Sequence, residues 1–375
     1  MKHALIVLIW IGLSSCTKNQ GPVTENNGEP LIELEVNKDG LKVLPPSKGI
    51  YHGAFPDLPE GSVTDLTTHI EKTENLVDKP LSFVTIQNDF VDGFQFPGAE
   101  VSEIAAQGKV PLIRMMPRSI RSQFYGVDPI YTMDRFLKGD FDPQLKEWAH
   151  QAKGVAGPMM VEFGPEVNGM WYPWSGRWNG WNFTDYYGDP KLFDGPERFR
   201  DAYRRIITLF RSEGVRNISW VFHVDSQPIP MEEPWNAMVN YYPGDDYIDW
   251  IGVSVFGAQA PGDWYGSFTQ ILDEKWGEIS ALSPKRPVAI VEWGVIEKAD
   301  DANAKAQWIE SALSALVSGK YPKIRAVNYW HERSWGSEEK HNFRLDSSPQ
   351  ALSAYKRGIR DPLFLSQMVV KNLGN

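Results

Sequence analysis

Eight short apolar runs, bounded by Gly or Pro and separated by amphipathic stretches, constrain this chain more than any other feature. They fall at residues 49–55, 82–88, 110–116, 159–164, 218–224, 248–256, 288–295 and 324–330. Near-continuous apolar strands are buried on both faces, which is the condition of a parallel sheet covered by helices. Helical patterns lie between the runs, for instance at 196–213, 268–282 and 301–318, and 349–357 reads as a closing helix. Eight strand–helix units predict an α/β fold, a single (β/α)8 TIM barrel, which the 375 residues accommodate without a second domain. In that fold the chemistry sits at the C-terminal ends of the strands.

The barrel is expected to occupy residues 46–375. Ahead of it, Met1-Lys2-His3 and the apolar run 4–13 have the form of a signal peptide, too short to span a bilayer. Leu13-Ser14-Ser15-Cys16 resembles a bacterial lipobox, which predicts removal of residues 1–15 and lipidation of Cys16. Residues 16–45 then read as the lipidated Cys and a polar tether. The expected location is a bacterial membrane, on the periplasmic or surface side of the outer membrane, with the lipid as the only attachment. Cys16 is the single cysteine, so no intramolecular disulfide and no cysteine-based zinc site is available. The balance of 38 basic and 48 acidic residues, −10 overall, argues against a nucleic-acid partner. A monomer is the expectation.

Two glutamates stand at strand ends. Glu166 follows the fourth run and Glu292 closes the seventh, so the two would face each other across the barrel mouth. A buried Glu is costly unless paired or functional. An interior salt bridge, with Arg114 as partner, is the structural alternative for either one. A pair of carboxyls about 5–5.5 Å apart is what a retaining glycosidase needs: one protonates the leaving oxygen and the other attacks the anomeric carbon.

After Glu166 comes a stretch of unusual aromatic density. From Trp171 to Tyr187 lie Trp171, Tyr172, Trp174, Trp178, Trp181, Phe183, Tyr186 and Tyr187, preceded by Asn168 and interleaved with Arg177 and other polar residues. Flat aromatic faces stack on pyranose rings, and amides and carboxylates bind hydroxyls. The candidate substrate contacts are therefore His52, Arg114, Asn168, Trp171, Trp174, His223, Phe256, Trp293 and Trp330, with Trp330 favoured as the floor of the cleaving subsite.

Glu166-Val167-Asn168-Gly169-Met170-Trp171-Tyr172-Pro173-Trp174 resembles the acid/base signature of glycoside hydrolase family 26, and Glu292-Trp293-Gly294 resembles its nucleophile motif. The stretches 241–252 and 344–349 also read like that family, and the likeness runs from about Gly49 to Phe364. The resemblance implies Glu166 as acid/base and Glu292 as nucleophile in endo-acting, retaining hydrolysis of a β-linked neutral polysaccharide. β-1,4-Mannan is the commonest target, with mixed-linkage β-glucan and β-xylan as alternatives. No cofactor is implied. Three departures stand out: Pro165 where the family usually has His, Glu162 where it usually has Arg, and Phe256 where it commonly has Tyr.

Two rival readings differ in class. A metal-dependent hydrolase would draw on His52, His223 and His331 with Asp225, but their spacing matches no ligand motif, and no metal is expected. A glycan-binding lipoprotein without catalysis would keep the aromatic surface and lack turnover. Ser254, in Gly252-Val253-Ser254-Val255-Phe256, lacks the last Gly of a nucleophile elbow and reads as a strand interior residue.

Overall fold

The chain alternates strand and helix from Ile50 onward. The computed structural model describes residues 40–58, 65–121, 125–333 and 341–373. The expected signal peptide, Cys16 and most of the tether lie outside the described residues. None of the described helices is long and apolar enough to cross a membrane.

Eight parallel strands form the barrel: β2 (Ile50–Phe55), β3 (Phe83–Asp89), β4 (Val110–Met116), β5 (Met159–Phe163), β6 (Ile218–Asp225), β7 (Trp250–Phe256), β8 (Val288–Gly294) and β9 (Ile324–Trp330). Each pairs with the next, and β9 returns to β2 with Tyr51 opposite Ala326 and Phe55 opposite Trp330, which closes the ring. Helices α1 (Leu66–Val77), α2 (Gly98–Ala106), α3 (Met133–Lys138), α4 (Asp142–Lys153), α5 (Asp194–Ser212), α6 (Met238–Tyr241), α7 (Phe268–Ala281), α8 (Ala304–Val317) and α9 (Pro349–Ile359) cover the outside. The start of α7 shows local sequence fixing an element: Ser267 and Gln270 form a reciprocal capping box, satisfying two orphan N–H groups of the first turn.

Two layers of apolar side chains result. One lies between strands and helices and includes Phe163, Tyr203, Trp293 and Trp308. The other fills the barrel interior with Tyr51, Phe83, Leu112, Met160, Val221, Trp250, Ala289, Val291 and Ala326. Gly53 faces this interior, where an added Cβ would stand 2.5 Å from the Phe83 ring, so the missing side chain makes room for that ring.

The tether was expected to run to residue 45. Its last residues instead form β1 (Leu41–Leu44), which pairs antiparallel with β11 (Val369–Asn372) below the barrel. Val43 belongs to the interior cluster. Its N–H donates to Ser219 Oγ at 2.9 Å, and its carbonyl accepts from Trp250 Nε1 at 3.1 Å. An apolar Val whose backbone N–H and carbonyl are both bonded can plug the open lower end of a barrel, and that burial draws these residues out of the tether.

Candidate active site

The upper end of the barrel collects charged groups from four strands. Alternation places Arg114 of β4, Glu162 of β5 and His223 and Asp225 of β6 on the inward face. Glu292 of β8 reaches that face by an irregularity. Along β7 and β8, Val253 lies opposite Ile290 and the next pair is Ser254 with Glu292, so Val291 is an extra residue. Such a bulge re-aims the side chains that follow it. Val291 packs inside the barrel, Glu292 points inward beside it, and Trp293 turns outward against Trp308 and Phe268.

Arg114 is the hub. Its Nε donates to Glu162 at 2.8 Å, and its terminal nitrogen lies 2.5 Å from a Glu292 oxygen. His223 Nδ1 lies 2.9 Å from the second Glu162 oxygen, and its Nε2 is 2.8 Å from Ser254 Oγ. Burial alone would push Glu162 up, but the His223 and Arg114 contacts outweigh it and hold this carboxyl below the usual range. Burial likewise opposes the charge of Arg114, and the facing carboxylates Glu292 and Glu162 more than restore it. Glu292 is held well above the usual range by burial, opposed by Arg114 and reinforced by Glu166, Glu162 and Asp225.

Glu166 sits beyond the end of β5 on a turn with φ of +52°, a left-handed conformation uncommon for a residue with a Cβ. The surrounding loop enforces it. Trp174 Nε1 donates to the Pro165 carbonyl at 2.7 Å, and the Gly169 N–H donates to the Glu166 carbonyl at 2.8 Å. Trp171 Nε1 donates to Glu166 Oε2 at 2.9 Å, so this ring is fixed against the carboxyl itself.

Other expected contacts fall differently. Trp330 is at the mouth, with the Arg114 guanidinium 5.2 Å from its ring, Phe55 stacked on it and Phe256 edge-on. Trp171 and Phe256 share this region. Trp174 and Trp293 do not: both are fully buried, Trp174 stacked on Tyr172 and Trp293 among Trp308, Tyr329 and Tyr355. Placement on the helix-facing side removes both from any sugar. His52 is also buried outside the barrel, where its Nε2 meets the Tyr355 hydroxyl of α9 at 2.8 Å. Asn168 is buried with its amide on the Asp225 backbone, so it clamps the loop to β6 rather than facing the mouth. Arg114 and His223 lie beneath the mouth and hold carboxylates. In the aromatic stretch, Trp181, Phe183 and Tyr186 are exposed, and Arg177 stacks on Trp181 at 3.7 Å.

The sequence brought Glu162 forward only as a departure from the family pattern, Asp225 only in the rival metal centre and Ser254 only as a strand interior residue. Their inward parity on β5, β6 and β7 was the available signal. Ser254, His223 and Glu162 have the spacing of a triad, but all three are buried below the mouth, where they orient one another instead of meeting a substrate. Glu162, His223 and Glu292 also bring one donor atom each within 4.8 Å of one another, a spacing that suits a cation. Arg114 ion-pairs both carboxylates and supplies that charge. The three-histidine centre is not assembled, because His52 turns to Tyr355 and His331 Nδ1 accepts the Leu345 N–H at 3.0 Å.

A closed parallel barrel with two acidic side chains at its C-terminal mouth is the framework of the (β/α)8 glycoside hydrolases. Residues 133–308 match the model described as Glycosyl hydrolase family 26. Over 224 residues the chain is 26% identical to Endoglucanase H of Acetivibrio thermocellus, covering 59% of this chain and 22% of that one. It thus spans about a fifth of the length of that curated relative. Among solved structures, a double mutant of the Cellulomonas fimi endo-β-1,4-mannanase is similar with a TM-score of 0.60 and 17% identity, over 84% of this chain and 72% of that chain. A family 26 β-mannanase from Bacteroides ovatus is similar with a TM-score of 0.57 and 16% identity, over 88% and 92% of the two chains. At such identities the structural likeness speaks for the fold. Together the family match over residues 133–308 and the endoglucanase relative support a glycoside hydrolase, and the structural neighbours support its barrel fold.

Proposed function

We propose that this chain is a retaining endo-glycosidase that cleaves a neutral β-linked polysaccharide, with β-1,4-mannan the first candidate. The observation that carries the reading is the convergence of Glu166 and Glu292 on one barrel mouth, with Arg114 bound to Glu292. Glu292 attacks the anomeric carbon while Glu166 protonates the leaving oxygen. Water then releases the glycosyl-enzyme with Glu166 as base. Arg114 compensates the charge that Glu292 must carry to act as a nucleophile. Trp330 and Trp171 offer ring faces beside the two carboxyls. The mannanase names of the Cellulomonas and Bacteroides structures support mannan, and the name Endoglucanase H keeps a β-glucan as the second substrate.

Product release from mannan, glucomannan, galactomannan, mixed-linkage glucan and xylan tests this, with the full chain run beside Glu292→Ala. Oligosaccharides of several sizes from one polymer, lost in the variant, support the reading. Affinity for a glycan without turnover would instead point to a binding lipoprotein. Attachment through a lipid on Cys16 belongs to the same proposal; Cys16→Ala should move the protein out of the membrane fraction.

A further inference from the structure

Asp225 ends β6 and is as buried as Glu166. Its backbone is held at both ends by one side chain: Asn168 Oδ1 accepts from the Asp225 N–H at 2.7 Å, and Asn168 Nδ2 donates to the Asp225 carbonyl at 2.8 Å. Asn168 stands two residues after Glu166, so this clamp locks the Glu166 turn to the end of β6. The clamp brings the Asp225 carboxyl beside that of Glu166, near enough for the two to interact. Other donors reach each of them: the Gln227 N–H reaches Asp225 Oδ1 at 2.5 Å, and Trp171 Nε1 reaches Glu166 Oε2 at 2.9 Å.

Ionised carboxylates only accept, so two of them this close need a proton between them. The charged and titratable groups around this pair are Glu292 on β8, Arg114 on β4 and Tyr172 on the loop, with Glu162 on β5 and His223 on β6 bound to each other beneath them. Arg114 is the cation among them, and its ion pairs go to Glu162 and Glu292. Neither Asp225 nor Glu166 has an ion pair among the described residues. Burial, and next the Glu166 charge, accordingly hold Asp225 well above the usual carboxylate range.

We propose that Asp225 is a positioning residue for the acid/base, sharing one proton with Glu166 so that the acid is loaded before cleavage and strongly basic after it. The proposal rests on reading Glu166 as the acid/base. In the first step a Glu292 oxygen bonds to the anomeric carbon, the glycosidic C–O bond breaks, and the shared proton goes to the leaving oxygen. The pair is then doubly ionised, and its mutual repulsion favours taking a proton back. In the second step a water oxygen bonds to the anomeric carbon, the bond to Glu292 breaks, and the water proton returns to the pair.

The test compares wild type with Asp225→Asn, Asp225→Ser and Asp225→Glu in the full chain. Substrates are the cleaved polysaccharide and dinitrophenyl β-mannobioside or β-cellobioside, whose leaving groups need no acid. For Asp225→Asn the alkaline limb of kcat/KM on polysaccharide should move at least one pH unit toward acid. On the dinitrophenyl glycoside, kcat should fall about tenfold while kcat/KM stays near wild type, with glycosyl-enzyme accumulating. Asp225→Ser should behave alike, which keeps the test open if one variant folds poorly, and Asp225→Glu should recover part of the limb. An unmoved limb, or kcat and kcat/KM falling together at all pH values, would overturn the proposal in favour of packing alone. Glu166→Ala separates the two levels. Loss on polysaccharide with a retained first step on the dinitrophenyl glycoside upholds the acid, and the Asp225 result then decides. Near wild-type cleavage of polysaccharide by Glu166→Ala would sink the acid reading, and this proposal with it.

Discussion

Arg114 is bound to Glu292 at 2.5 Å while its Nε bonds Glu162 at 2.8 Å, so one guanidinium neutralises the candidate nucleophile and an interior carboxylate together. Removing a partner from a buried pair leaves charge uncompensated, at about 3–5 kcal/mol. Arg114→Ala should lose stability on that scale in urea unfolding. Its kcat should fall by at least about a hundredfold, since a fixed charge beside the reacting carboxylate is gone. An active, stable variant would remove Arg114 from the mechanism.

The bulge at Val291 puts Val291 and Glu292 on one face of β8. Deleting Val291 leaves Glu292 directly after the outward Ile290, so simple alternation keeps Glu292 on the inward face and Trp293 outward. Turnover should therefore survive the deletion, read by product release, while stability falls with the loss of the Val291 side chain from the barrel interior. A loss of turnover comparable to Glu292→Ala would mean that the bulge itself aims the carboxyl.

Trp293 and Trp330 both close strands, yet one is core and the other borders the mouth. Trp293→Ala should cost about 3–5 kcal/mol of stability. Trp330→Ala should mainly raise KM, by about tenfold for a lost stacking surface. Thermal unfolding and initial-rate kinetics on both variants check the assignment, and exchanged phenotypes would reverse it.

Burial holds His52 at about 4 against its ordinary 6.5. The unfolded chain takes this proton near 6.5 and the folded chain only near 4. The neutral buried ring therefore contributes its full stability above 6.5, and that contribution is lost as the pH falls toward 4, by up to roughly 3 kcal/mol. The stability advantage of wild type over His52→Gln should shrink between pH 7 and pH 4. A constant difference across that range would mean that His52 titrates normally.

The eight strands were legible because each one is apolar on both faces, and burial of that kind leaves few alternatives to a covered parallel sheet. Residues 41–44 were not, because four residues of mixed polarity carry no periodic signal and gain their strand character from β11 and the barrel floor. The same split runs through the site. The sequence alone determined the fold class and brought Glu166 and Glu292 forward, since a carboxyl at the end of an apolar strand needs a reason to be there. The tertiary structure decided which side chains face the mouth. The parity of a strand is set by register with its neighbours, and the single extra residue at Val291 exchanges the faces of Glu292 and Trp293. His52 and Trp174 went outward for a related reason: an aromatic or imidazole ring is equally at home stacked on a sugar or packed in a core. Only the neighbours it meets in three dimensions, Tyr355 for His52 and Tyr172 for Trp174, choose between the two.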